Sequence, residues 1–233
     1  MPLLTFITDE LLYQHTQKVL DVAENAVTDA EINLYSNKID PFSALFDSLR
    51  QGISLSSWIE QEKPRQIQKT MQNAVGEFHE DILGSVEGWE KLPVGNVIDL
   101  RNRGKKIIAE VKNKYNTTKG NHKKDIYDDL KSQEEGEHLN YTGYYVEIVP
   151  SRKEPYDKPF TPPDNITHTR RASNEKIRVI DGKSFYALVS GVPDAIEQLY
   201  FVLPKVISDI MRKKVPPSED VALYKSLFEK SYG

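Results

Sequence analysis

The sequence predicts a single domain of the α/β (α+β) class, in which a mixed β-sheet is flanked by helices on both faces. Three observations support this fold class. The first half of the chain has the apolar spacing of helices, two β-branched runs joined by a polar turn follow residue 95, and further strands alternate with helices. A chain of 233 residues is long enough for one sizeable core and too short for two comfortable domains.

The N-terminal part, residues 1–84, is predicted to be a layer of helices. Thr8 is followed by acids and an apolar pattern, which is typical of an N-capped amphipathic helix. Asp40 and Pro41 provide a cap and a first-turn proline for a second helix that ends near Gly52. Further helices are predicted over 57–62 and, beginning at Pro64, up to Leu83.

The sheet core is predicted over residues 85–190. Two β-branched runs, 96–100 and 106–112, are separated by a polar stretch from Arg101 to Lys105, which is typical of a β-hairpin. A helix with an apolar face follows, and two more strands complete the core. We place this helix over 122–132 and these strands over 141–149 and 176–180.

A proline-rich insertion, residues 150–176, interrupts the core and is predicted to be a loop. A loop of this length within a compact domain is usually functional or disordered. The remaining residues, 191–233, are assigned to C-terminal helices, and Pro204 is expected to disturb the longest of them because proline lacks a backbone donor. Helices in this part of the chain are predicted over 184–189, 193–212 and 218–230.

Composition excludes several classes of protein. No run approaches the roughly 20 apolar residues needed to cross a bilayer, and the N-terminal segment lacks the basic region of a secretory signal. The chain has no cysteine, which excludes disulfides and thiolate metal sites and fits a reducing cytosol. A phosphate-cradling GxxxxGK loop is also absent. We therefore expect a cytoplasmic protein with no membrane partner and no nucleotide cofactor.

Positive charge is concentrated in one part of the sequence. The net charge is -4, yet residues 101–124 carry nine Lys or Arg against a single acid, Glu110. Such a stretch indicates a local phosphate-binding surface, although a solvated basic face would have the same composition. The acid within the basic run favours the first interpretation.

Two acids and a lysine lie at the predicted hairpin. Glu110 and Lys112 are two residues apart on one strand and so point to the same face, and Asp99 on the preceding strand can approach Glu110. Two adjacent carboxylates repel unless a divalent cation lies between them, and Mg2+ prefers oxygen ligands. Lys112 could then hold or deprotonate an attacking water. An isolated Glu-x-Lys is common, and the alternative is an ion pair on an exposed strand.

The same residues carry a family resemblance. Ile98-Asp99, ten intervening residues and Glu110-Val111-Lys112 resemble the metal-binding core of the PD-(D/E)XK nuclease superfamily, to which most type II restriction endonucleases belong. The run from Lys112 to Gly120 is similar to the narrower group that recognises GGNCC-like sites. This closer resemblance covers Val86 to Leu130, with weaker similarity from Ile180 to Gly191. It implies a homodimeric, magnesium-dependent enzyme that hydrolyses double-stranded DNA at a short palindromic site, with Mn2+ able to replace Mg2+.

The resemblance also assigns roles to the hairpin residues. Asp99 and Glu110 would be metal ligands, and the backbone carbonyl of Val111 would be a third ligand. Lys112 would be the catalytic lysine. The superfamily name specifies a proline where this chain has Ile98.

In many members of the superfamily, a glutamate on the preceding helix assists the metal site. Glu77 is our candidate for this residue, and Glu80, one turn further on, is the alternative. A solvated acid on a helix surface is the simpler interpretation of either residue.

Residues that follow the strand with Glu110 and Lys112 can bind phosphates, because amides, hydroxyls and cations all bind phosphate oxygens. Base reading needs donors that reach the major groove, for which arginine is the commonest side chain. The arginines of the insertion are candidates for this role, and solvent-facing loop charges are the equal alternative. The predicted DNA contacts are Asn113, Lys114, Asn116, Thr117 and Lys119 for phosphates, and Arg170, Arg171 and Arg152 for bases.

Two other functions share parts of this pattern. A structure-selective or repair nuclease of the same fold would keep the metal centre and lack base-specific contacts. A non-catalytic DNA-binding protein would use Asp99 and Glu110 only to cap a basic surface. Discrete fragments from plasmid DNA would favour restriction over repair, and loss of cutting on replacement of Asp99 or Lys112 would exclude the non-catalytic alternative.

Overall fold

The computed structural model describes residues 1–29, 39–93, 95–118, 120–164, 166–212 and 218–233. These residues form two compact units. The first unit comprises Met1–His15 and His79–Gly233, and the second comprises Thr16–Phe78. The prediction of a single domain, with a helical layer up to residue 84, stays a prediction.

Eight strands are described, and all of them belong to the first unit. They are β1 (Glu90–Lys91), β2 (Leu100–Asn102), β3 (Ile107–Lys114), β4 (Thr142–Val149), β5 (Asp157–Pro159), β6 (Pro163–Asp164), β7 (Thr169–Arg170) and β8 (Ile177–Asp181). Six of these strands form a mixed sheet in the order β1-β2-β3-β4-β8-β5. The pairs β3-β4 and β4-β8 are parallel, and the other pairs of this sheet are antiparallel. Strands β6 and β7 form a separate antiparallel pair.

Seven helices accompany the strands within the described ranges. They are α1 (Asp9–Thr28), α2 (Pro41–Gln51), α3 (Leu55–Gly84), α4 (Gly120–Glu135), α5 (Gly182–Ser190), α6 (Ala195–Met211) and α7 (Ser218–Tyr232). None of these described helices is both long enough and apolar enough to cross a membrane.

Helices pack on both faces of the sheet. On one face, Tyr127 of α4 joins a buried cluster with Ile108 of β3 and Tyr145 of β4. On the other face, the ring of Phe185 in α5 contacts Tyr144, the neighbour of Tyr145 on β4. Because successive residues of a strand point to opposite faces, α4 and α5 lie on opposite sides of the sheet. The predicted fold class is confirmed.

The first two helices begin at the predicted positions, and the second also ends where predicted. Thr8 Oγ1 accepts a hydrogen bond from the amide of Leu11 at 3.3 Å, as an N-cap does. Asp40 Oδ1 accepts one from the amide of Phe42 at 3.0 Å, and Gly52 ends α2 in the left-handed conformation that glycine adopts without strain.

The prediction of a helix break before Pro64 is wrong, because α3 runs from Leu55 to Gly84 through that proline. The residue that caps this helix is Ser54, whose Oγ accepts a hydrogen bond from the amide of Ser57 at 3.1 Å. A proline inside a helix costs about 3 kcal/mol, which the long helix on either side outweighs. An ion pair between Glu62 and Arg65 spans the proline, and a second pair, Glu60 with Lys63, lies directly before it. Helix α6 likewise continues through Pro204.

The predicted hairpin is present, but its first strand is shifted toward the turn. The run 96–100 contributes only its last residue to β2. The backbone pairs with β3 only from Asp99 onward, where the Asp99 amide donates to the carbonyl of Ala109 at 2.9 Å. Asn102 Oδ1 accepts from the Lys105 amide at 2.7 Å, and the turn therefore starts after Asn102, not at residue 101 as predicted.

The insertion at 150–176 is not the featureless loop that its composition predicts. Strand β5 pairs with β8 at the edge of the sheet, with Asp157 opposite Ile180, and β6 pairs with β7. Proline is confined to edge strands and strand ends because it cannot donate to a ladder. Pro159 ends an edge strand and Pro163 begins a short one, so the prolines that argued against strands mark their limits.

Gly182, the first residue of α5, has no room for a side chain. A Cβ at this position would lie 2.2 Å from the carbonyl oxygen of Ile148, a backbone atom of β4. We predict that Gly182→Ala lowers the free energy of unfolding by roughly 3 kcal/mol, measured by chemical denaturation. Gly104→Ala is the control, since its Cβ would lie 3.6 Å from the Asn102 side chain, an ordinary contact. Equal losses in the two variants would contradict this assignment.

Candidate active site

The first unit brings Asp99, Glu110 and Lys112 together at the hairpin. Asp99 Oδ2 accepts a hydrogen bond from the Val111 amide at 2.7 Å. Glu110 Oε1 accepts one from Lys112 Nζ at 2.5 Å. The side chains of Glu110 and Lys112 are 15% and 33% exposed, so the cluster is mostly covered and still reachable from solvent.

Strand alternation explains why these side chains share one face. Ala109 and Val111 are buried, whereas Glu110 and Lys112 between and after them are only partly buried. Leu100 is the register partner of Ala109, which places the preceding residue, Asp99, opposite Glu110. The antiparallel ladder thus brings two carboxylates together across adjacent strands.

The electrostatics of this cluster are strongly perturbed. Burial and the negative charge of Asp99 raise the pKa of Glu110 to about 7, although Lys112 acts in the opposite direction. Burial lowers the pKa of Lys112, but the charges of Glu110 and Asp99 more than offset this and the net change is upward. The cluster therefore has more negative charge than one lysine neutralises, which favours a further cation.

Glu80, near the end of α3, lies within the electrostatic range of the same cluster. Burial and the charge of Asp99 raise the pKa of Glu80, and its Oε2 lies 3.2 Å from Lys91 Nζ. Glu77 belongs to the second unit, where its Oε1 accepts a hydrogen bond from Lys18 Nζ at 2.6 Å. These contacts favour the alternative candidate, Glu80, as the helix acid of the site.

The donor set fits a hard divalent cation. Across the ranges that the structure describes, no group of three or more His, Cys, Asp or Glu side chains could hold a metal ion. Magnesium does not need such a group, because it is usually held by one or two carboxylates together with water and phosphate oxygens. The elevated pKa of Glu110 is the observation that supports the fit, since a cation beside Asp99 and Glu110 would relieve their repulsion.

The predicted phosphate contacts lie at and after the end of β3. Asn113 and Lys114 are its last two residues and are partly buried. Asn116 and Thr117 are exposed in the turn that follows, where Thr117 Oγ1 donates to the Lys114 carbonyl at 2.7 Å. Lys119 lies outside the described residues.

The three arginines of the insertion differ in their surroundings. Arg152 and Arg170 are exposed. Arg171 is held by two carboxylates, at 2.6 Å from Asp128 of α4 and 3.4 Å from Asp164 of β6. These ion pairs favour a structural role for Arg171, in which it ties the insertion to α4, and they make Arg152 and Arg170 the more accessible candidates.

Sequence reasoning missed Glu147, a buried acid on β4 whose register partner on β3 is Lys112. Its neighbours along the strand, Val146 and Ile148, are fully buried and apolar. An acid in the middle of an apolar strand is uncommon without a partner, and this was a usable signal in the sequence.

Comparison with known proteins gives consistent matches. Residues 4–212 match the family model described as Eco47II restriction endonuclease, a range that includes all the candidate site residues. The chain is 43% identical over 219 residues to the type II restriction enzyme Eco47II of Escherichia coli, and the alignment covers 92% of this chain and 91% of that protein. It is 30% identical over 233 residues to the type II restriction enzyme Sau96I of Staphylococcus aureus, with 98% and 89% covered.

The elevated pKa of Glu110 predicts a pH dependence of metal binding. Only the ionised carboxylate binds a cation, and an acid with a pKa of about 7 takes up its proton below that value. We predict that the affinity for Mn2+, measured by calorimetry without DNA, falls about tenfold per pH unit below pH 7. In Lys112→Met the midpoint should move to higher pH, because a positive neighbour is removed. If the affinity of the unaltered protein for Mn2+ did not change across this pH range, the pKa of Glu110 would not be elevated.

Proposed function

The chain belongs to the Eco47II restriction endonuclease family and is a type II site-specific deoxyribonuclease, and we propose that it hydrolyses both strands of double-stranded DNA at a short palindromic site in a magnesium-dependent reaction. The single observation that supports this reaction best is the approach of Asp99 to Glu110 on adjacent strands, with Lys112 hydrogen-bonded to Glu110. Two carboxylates that can hold a cation, with an ammonium group beside them, are suited to a phosphodiester, which develops negative charge as it is attacked.

The residues proposed to hold the metal are Asp99, Glu110 and the backbone carbonyl of Val111, with Glu80 as a nearby assisting acid. When bound, a divalent cation polarises the scissile phosphate and makes a nearby water more acidic. The Val111 amide fixes the Asp99 carboxylate, and Lys112 fixes that of Glu110. Both side chains are therefore oriented by the protein itself. We expect Mn2+ to replace Mg2+, because both ions accept carboxylate and water oxygens.

Lys112 is proposed to orient the attacking water and to stabilise charge on the phosphate. The net upward change in its pKa keeps the ammonium protonated near neutral pH. A protonated lysine donates hydrogen bonds and cannot accept a proton. Of the two roles open to this residue, holding the water is therefore favoured over deprotonating it.

A two-fold symmetric target is best served by two copies of the chain, one on each strand, and we propose a homodimer in the cytoplasm. The GGNCC-like specificity is proposed from the similarity of the run from Lys112 to Gly120. Arg152 and Arg170 are proposed to contact bases, since both are exposed. The proposed phosphate contacts are Asn113, Lys114, Asn116, Thr117 and Lys119.

Removal of one carboxylate charge tests the catalytic centre. We predict that Asp99→Asn lowers the rate of DNA cleavage by at least about a hundredfold, because the amide still accepts from Val111 but lacks the charge that a cation needs. Affinity for double-stranded DNA without Mg2+ should change less than about threefold. The control is Glu135→Gln at the far end of α4, whose side chain is 62% exposed. Full cleavage by Asp99→Asn would exclude the proposed centre and favour non-catalytic DNA binding.

Sequence specificity is tested with the unaltered protein. Plasmid DNA incubated with Mg2+ should give discrete fragments whose ends map to one short palindromic sequence, with both strands cut. A protein that instead cuts branched junctions, and leaves linear duplexes whole, would be a structure-selective nuclease with the same metal centre.

A further inference from the structure

A second charged group lies beside Lys112, on the face of the sheet that α4 covers. Glu147 on β4 is the register partner of Lys112 on β3. Register partners on neighbouring strands point to the same face and lie roughly 4.8 Å apart. The Glu147 side chain is only 6% exposed, so a buried carboxylate adjoins the proposed catalytic lysine.

Both carboxylate oxygens of Glu147 accept hydrogen bonds. Oε1 accepts from Lys123 Nζ at 2.6 Å, and Oε2 accepts from the Tyr156 hydroxyl at 2.5 Å. The backbone of Tyr156 is fixed in turn, because its amide donates to Asp181 Oδ2 at 2.7 Å. Glu147 is therefore held from two sides, and it holds the ammonium group of Lys123 in one place.

Lys123 has the exposure and the donors to bind an anion. Its side chain is 23% exposed and lies near the beginning of α4, where the partial positive charge of the helix favours phosphate. An ammonium group has three donors, of which Glu147 uses one. Lys123 can therefore bind a phosphate oxygen without breaking its ion pair.

A buried tyrosine ring lies next to Lys123. Lys123 Nζ is 5.3 Å from the ring centroid of Tyr145, a residue that is 0% exposed. Among the described residues the Tyr145 hydroxyl makes no hydrogen bond of normal geometry, but it lies within hydrogen-bonding reach of the Thr118 side chain. Buried hydroxyls are nearly always hydrogen-bonded. The Tyr145 ring also contacts the Lys123 ammonium through a cation–π interaction, which helps to fix the position of that ammonium.

We propose that Lys123 binds a phosphate of the cut DNA strand, next to the one held at Asp99, Glu110 and Lys112, and that Glu147 and Tyr156 are positioning residues. This inference rests on the proposed function. The desolvation of a buried ion pair generally cancels its attraction, so stability alone gives little reason for Lys123 and Glu147 to lie there. A phosphate contact supplies that reason.

The test avoids leaving Glu147 buried without a cation. Lys123→Met alone would do so and could prevent folding. Glu147→Gln is therefore compared with Glu147→Gln/Lys123→Met, because the amide can still accept from the Tyr156 hydroxyl in both variants. The matched control is Glu147→Gln/Lys131→Met, since Lys131 lies on the same helix and pairs with Glu135 at 3.5 Å.

Affinity for duplex DNA is measured over a range of salt concentrations without Mg2+. Loss of the Lys123 ammonium should reduce the slope of log K against log salt by about one and weaken binding about tenfold at low salt, whereas the Lys131 control should keep both values. The single substitution Lys123→Arg, with Glu147 left unchanged, should also keep the slope. An unchanged slope in Glu147→Gln/Lys123→Met would overturn the phosphate contact.

The positioning role has its own readout. Glu147→Gln should raise KM for DNA by about threefold with kcat nearly unchanged, because a phosphate contact beside the reacting one binds substrate and transition state alike. A fall in kcat at constant KM would overturn this role. If the unaltered protein neither binds nor cuts duplex DNA, the proposed function itself fails; if it cuts while the salt slope is insensitive to Lys123, only the present inference fails.

Discussion

The repulsion between two carboxylates on adjacent strands is the constraint on which this site depends. The ladder between β2 and β3 places Asp99 opposite Glu110, and hydrogen bonds from the Val111 amide and Lys112 keep both carboxylates in position. The charge of Asp99 disfavours ionisation of Glu110 and Glu80 alike. Such an arrangement is unfavourable for the isolated protein and becomes favourable when a cation is bound. Sites that sacrifice stability in this way are usually functional.

The parallel strands β3, β4 and β8 place further polar side chains beside this site. Lys112, Glu147 and Asp181 are register partners on β3, β4 and β8, and each lies toward the carboxyl end of its strand. Ligands of open α/β sheets bind at this end of the strands. Two residues earlier on the same strands, Glu110 and Tyr145 are register partners. The fold therefore supplies a row of polar groups beside the proposed metal ligands, and the insertion contacts this row through Tyr156.

The hairpin and its charged residues could be predicted because strand alternation and two-residue spacing are local properties of the sequence. Contacts that depend on tertiary packing could not be predicted in this way. Nothing near Arg171 in the sequence shows that Asp128 faces it across the fold. The choice between Glu77 and Glu80 depends on which turn of α3 lies near Asp99. The strands of the insertion could not be predicted because its prolines argue against strands. That these prolines lie at strand ends is known only once the partner strands are known.

The ion pairs of the first unit also change how the basic segment is understood. Many of its cations have acidic partners: Arg101 and Arg103 with Glu90, Lys112 with Glu110, Lys123 with Glu147, and Lys124 with Asp128. Such pairs produce little field beyond a Debye length of about 8 Å, which reconciles a net charge of -4 with a DNA substrate. A cation already oriented by an acid loses little further freedom when it meets a phosphate. The proposed phosphate binding therefore calls for a few fixed donors and not for bulk positive charge.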